Sequence, residues 1–255
     1  MRKFKIDKIV PLILITLFLL QVPSFGKETS FPKPVGYVND FAHLISSGDV
    51  ARLTSLITEL EQKTTSEIAI VTLESIPEGD IESYAVDLFE EWGIGKKGED
   101  NGLLILVGVG EQLIRIEVGY GLEGIITDGL AGEVIRQKIA PSFQKGEFGE
   151  GLFNGTAVLA NLIASEKGVK LLALSSLPEE YYEMARGASS PPRRVLVNLL
   201  YLFLILLFLG GRFFLFPWLF FMGGGYWGRG GGGFGGGFGG FGGGMSGGGG
   251  ATGRW

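Results

Sequence analysis

Between residues 48 and 165 apolar side chains recur at two spacings, and each change of spacing marks a new element. Val50, Leu53, Ile57 and Leu60 fall on one face of a helix starting near Gly48, with Ser46 or Ser47 as its cap. Glu67 to Leu73 (EIAIVTL) is a short run of branched apolar residues, the pattern of a strand covered on both faces. Asp80 heads a second helix whose buried stripe is Ile81, Tyr84, Leu88 and Trp92, and Gly93, Gly95 and Gly98 end it. Two strands follow, Gly102 to Val109 and Gln112 to Val118, and the short Gly110-Glu111 link makes them an antiparallel hairpin. Further helices are predicted from about Asp128 to Ile139, stopped by Pro141, and from about Gly149 to Ser165.

Strand, helix, strand from Glu67 to Val109 reads as a parallel right-handed crossover. Residues 34–167 are therefore expected to form one α/β domain, a three-layer α/β/α sandwich with a mixed, mostly parallel sheet.

The flanks have a different pattern. Basic Arg2, Lys3, Lys5 and Lys8 precede an apolar run from Ile9 to Leu20, and Ser24 and Gly26 sit where a signal peptidase cuts, so residues 1–26 read as a secretory signal peptide. Residues 168–194, with Pro178, Pro191 and Pro192, read as a linker. Residues 195–222 are almost wholly apolar and read as a transmembrane helix with an interfacial end. A hairpin that turns at Gly210-Gly211 is the rival, with a second limb that is short for a crossing. Residues 223–255 are glycine punctuated by aromatics, a low-complexity tail expected to be flexible and disordered, with its rings free for weak self-association. One crossing sets the domain outside the cytoplasm and the tail inside it, on a chain held at the cell membrane.

Composition then narrows the chemistry. There is no cysteine and one histidine, His43, so thiolate metal sites, multi-histidine zinc and His-dependent triads drop out. His43 itself suits a packed position near a helix start better than a ligand. The net charge of -5 argues against a nucleic-acid partner. The glycines of Gly119 to Gly124 lack the full nucleotide fingerprint.

What remains is carboxylate. The hairpin sets Asp100 and Asn101 beside Glu117 to Tyr120, with Ile114, Ile116 and Val118 on one face and Arg115 and Glu117 on the other. Glu123 and Asp128 follow on a loop that must stay near that end of the sheet. Asp100, Glu117, Glu123 and Asp128 are thus candidate ligands of a hard divalent cation, calcium first. Asp40 either joins them or forms a turn, and the turn is favoured. Plainer roles stand beside this: Asp128 as a helix cap, Glu117 paired with Arg115 or a lysine at the surface, Glu123 and Asp100 as loop acids. Catalytic residues are not assigned, although Arg115 suits a clamp on phosphoryl oxygens.

Several stretches together resemble the TPM-domain family, and within it the bacterial membrane-bound YgcG-like branch: Val38-Asn-Asp40, Glu67-Ile-Ala-Ile-Val71, Asp100-Asn-Gly-Leu-Leu104, Arg115-Ile-Glu-Val-Gly-Tyr-Gly-Leu-Glu123 with Thr127-Asp128, Pro141 with Phe143, and the glycine-rich end. The resemblance implies an extracytoplasmic α/β sandwich in which Asp40, Asp100, Glu117, Glu123 and Asp128 form the family's acidic patch. It also implies one of several roles, since relatives are described as acid phosphatases, calcium binders or helpers of membrane protein complexes. The expectation is a cation-binding module that assists membrane protein complexes, with a metal-assisted acid phosphatase using the same acids as the alternative.

Overall fold

In the computed structural model, residues 31–77, 80–175 and 240–255 are described. The signal segment, the apolar stretch 195–222 and residues 223–239 lie outside them. Among the described residues no helix is long and apolar enough to cross a membrane.

The elements follow the apolar spacing closely. Strand β1 is Val38–Asp40, α1 is Ser47–Thr64, β2 is Glu67–Leu73, α2 is Ile81–Trp92, β3 is Gly102–Gly108 and β4 is Leu113–Gly119. Ser46 caps α1 by accepting from the Asp49 amide, and Asp80 caps α2 by accepting from Glu82 and Ser83. The hairpin pairs Leu103 with Val118 and Leu104 with Glu117, the expected register. β1 was not anticipated; three residues are too few to carry a periodic signal.

After β4 the chain makes a short turn at Tyr120–Leu122 and enters α3, Asp128–Val134. Pro141 does not stop the helix. The chain widens into a π-helical turn over Ile135–Ile139 and continues as α4, Ala140–Phe143, with Pro141 in its first turn. Helix α5, Phe148–Glu166, follows, and Leu171 and Leu174 still pack into the core beyond residue 167.

The last element is the main departure. Ser246–Arg254, from the tail expected to be disordered, is a strand, β5, paired antiparallel with β4. The sheet order is β1-β2-β3-β4-β5, with β1, β2 and β3 in parallel and β4 reversed. Its neighbouring pairs are therefore evenly parallel and antiparallel rather than mostly parallel.

Ile68, Ile70, Leu103, Ile105, Val107, Ile114, Ile116 and Val118 form one core with α1, α3 and α5. The alternate strand positions, among them Val71, Leu104, Leu106, Arg115 and Glu117, are also buried and face the side of α2. Helix α5 crosses the π turn at glycine. A Cβ on Gly151 would stand 2.8 Å from the Phe143 ring and 2.9 Å from the Ile139 carbonyl oxygen. Replacing a mid-helix glycine gains about 1 kcal/mol of propensity, but overpacking costs about 1–3 kcal/mol, so Gly151→Val is expected to lower stability in urea unfolding.

Candidate functional site, an acidic cradle along the sheet edge

Arg115 and Glu117 sit two residues apart on β4 and so point to the same face, where α2 and β5 enclose them. Arg115 is 6% exposed and Glu117 fully buried. The Arg115 Nε and Nη2 donate to Glu117 Oε2 at 3.0 and 2.5 Å. This is the expected Arg115 pair, but in the interior rather than at the surface. Two charges out of water need further donors and acceptors around them, and β5 supplies several. Arg115 Nη2 also donates to the carbonyls of Gly248 and Gly249, and the Ser246 hydroxyl donates to Glu117 Oε1.

The other candidate acids lie along the same strip. Asp100 Oδ1 accepts the Met245 amide at 3.1 Å, and Asp128 Oδ1 accepts the Gly250 amide at 2.8 Å. Glu123 borders Gly249, where a Cβ would come within 2.8 Å of Oε1. Glu67, which the sequence pattern presents only as the start of a strand, belongs here too: its Oε2 accepts the amides of Gly95 and Gly242. A carboxylate heading a strand apolar on both faces was the signal that could have singled it out. The acids thus lie along one edge, where they face the tail one after another rather than meeting in the single small volume expected. Among the described residues no three Asp, Glu or His side chains gather as a metal set would.

Asp40 lies apart from them. Its carboxylate accepts the amides of Leu44 and Ile45 and the Thr72 hydroxyl, the turn role, at the opposite end of the sheet from Asp100. Exposed His43 follows in that turn, with φ of 55°. Asp128 does not cap α3; the Thr127 hydroxyl does.

Aromatic contacts hold the tail at both ends. Phe241 stacks on Trp92 with centroids 5.9 Å apart and meets the Tyr37 ring edge-on, while Trp255 packs edge-on against Phe143 at 5.0 Å. Between them, space favours glycine at several positions. A Cβ on Gly250 would strike the Ile116 carbonyl, one on Gly247 the Tyr120 hydroxyl, and one on Gly253 would lie 2.6 Å from Ile135 Cγ2. Gly250 also has φ of 127°, a region that side chains rarely adopt.

Beneath Phe241 lies a charged group that includes Lys96, which donates to both Glu61 and Glu67, and Tyr37, which donates to Glu61. Burial works against the Lys96 ammonium, but the two carboxylates outweigh it and raise its pKa above the ordinary 10.5. Burial first, then Glu61, push the Tyr37 phenol well above its ordinary 10.0.

A family model for the TPM domain, named TPM phosphatase, matches residues 38–162. The chain belongs to the TPM-domain family. Strand β5 lies outside the matched TPM segment. Solved structures similar to this chain include the N-terminal domain of a P. gingivalis protein, 30% identical with a TM-score of 0.49 over 52% of this chain and 85% of its own. An N-terminal domain from Corynebacterium glutamicum is 18% identical, with a TM-score of 0.41 over 59% and 89%. A protein of the psychrophilic Bizionia argentinensis is 25% identical, with a TM-score of 0.44 over 52% and 91%. No curated protein matches the chain.

Two outcomes are expected. Gly250→Ala places a side chain in a conformation that costs about 1–3 kcal/mol, so amide hydrogen exchange of residues 248–254 should accelerate about ten- to a hundredfold, while exposed Met245→Ala leaves it unchanged. Because Lys96 and Tyr37 have raised pKa values in the folded state, their contribution is complete below about pH 10 and is lost as pH rises through the folded values. Alkaline titration followed by phenolate absorbance should show Tyr37 ionising late, and Glu61→Gln should bring that ionisation toward its ordinary value.

Proposed function

We propose that this TPM domain is a strand-capturing module at the outer face of the cell membrane, using the β4 edge to bind an extended glycine-rich segment. The observation that carries the reading is the row of carboxylates from Glu67 to Asp128 aimed at backbone N–H groups of residues 242–250. Main-chain pairing supplies affinity in such strand addition, and flanking side chains supply selection. The membrane-bound branch of the family, with its apolar stretch and glycine-rich end, suits a module that holds or assists membrane protein complexes.

Strand pairing within one chain requires both partners to occupy one compartment. This reading therefore sets residues 246–254 outside with the domain, in place of the cytoplasmic location expected from a single crossing, and it favours the membrane-hairpin alternative. The chain has no cysteine, so single cysteines report cleanly. Exposed Glu82→Cys and Met245→Cys should both be labelled on intact cells by a membrane-impermeant maleimide; labelling of Glu82→Cys alone would sink the reading.

The metal-assisted phosphatase uses the same acids and needs the strand gone, because Arg115 already donates to Glu117 and two carbonyls. Hydrolysis of phenyl phosphate with calcium or magnesium by the Gly250→Ala protein, absent in the unsubstituted chain, would favour it.

A further inference from the structure

The same edge also selects its partner, and this inference rests on the strand-capturing reading. An ordinary β-strand cannot lie where β5 lies. Side chains are excluded at position 250 by the Ile116 carbonyl and at 253 by buried Ile135, while at 247 and 249 a Cβ would first have to displace the Tyr120 and Glu123 side chains. Farther back, a Cβ on Gly242 would stand 2.6 Å from Lys96 Cδ and one on Gly244 2.6 Å from the Ile94 carbonyl oxygen. A hydroxyl suits position 246, where it donates to Glu117 and also lies 2.9 Å from the Val118 carbonyl oxygen. Aromatic rings are wanted at 241 and 255. Every copy of this chain carries such a segment.

We infer that the β4 edge of one copy takes the tail strand of a second copy, so that chains sharing a membrane exchange β5. The contacts that recognise the strand are carried by residues 241–255, and the stretches 176–194 and 223–239 on either side of the membrane segment are together long enough to extend on the order of 100 Å, so a neighbour's edge is within reach. Exchange forms the same interface that the chain makes with itself and needs no new complementary surface. Which arrangement prevails is a matter of effective concentration: the tethered tail competes with those of neighbours, whose density a membrane raises.

The register gives the test. Leu113 and Arg254 are directly opposed, and opposed strand residues have Cα atoms within disulfide range. Full-length Leu113→Cys and Arg254→Cys chains, tagged to differ in size, are reconstituted together in phosphatidylcholine vesicles and oxidised. A chain carrying both cysteines serves as the internal control. The expected result is a mixed disulfide whose yield rises with surface density and falls about tenfold when Gly250→Val is added to the Arg254→Cys chain. An internal disulfide in the double variant without any mixed product would overturn exchange and leave strand capture standing. No disulfide in either experiment would overturn both.

Discussion

The charged pair buried in β4 sets the terms for everything around it. A guanidinium and a carboxylate removed from water each lose several kcal/mol of hydration, and their attraction restores that only if the remaining hydrogen-bonding positions are filled. Glu117 gives one oxygen to Arg115 and the other to Ser246, while Arg115 adds two carbonyls of the same strand. The tail is thus the polar complement of the domain as well as its fifth strand. Without β5, β4 would present an open edge with unmet backbone groups beside an incompletely paired charge.

Glycine answers a second constraint in the same place. The strand passes between α2 on one side and the loop and helix from Glu123 to Val134 on the other, and at Gly250 and Gly253 its backbone comes close enough that a side chain has no room. The approach is mutual at Gly93, where a Cβ would stand 2.9 Å from the Gly243 Cα. Repetitive composition, usually a sign of chain that packs against nothing, here meets a site that accepts little else. The aromatic residues flanking the glycines supply the apolar burial that glycine cannot.

Much of the domain was legible because its signals are local. Apolar spacing marked α1, α2, β2, β3, β4 and α5 within a residue or two, the capping residues Ser46 and Asp80 were plain, and the short link at Gly110 set the hairpin register. Two local signals misled. Pro141 looked like a stop, yet a π turn ahead of it let the helical path continue, and α5 packs closely over Ile139 and Phe143 there. Asp128 looked like a cap, yet Thr127 one residue earlier holds that position.

The sequence by itself determined the α/β character of the domain and most of its strands and helices, because periodicity and a tight hairpin act over a few residues, and it singled out Asp100, Glu117, Glu123 and Asp128 as acids near one end of the sheet. Only the tertiary structure decided what those acids face. A strand of glycine, serine, alanine and threonine that ends in Arg254 has no periodic pattern to read, and its place in the sheet comes from an edge, a buried charge and a row of carboxylates lying more than a hundred residues earlier in the chain. The long-range hydrogen bonds that define the cradle exist only once those distant segments meet.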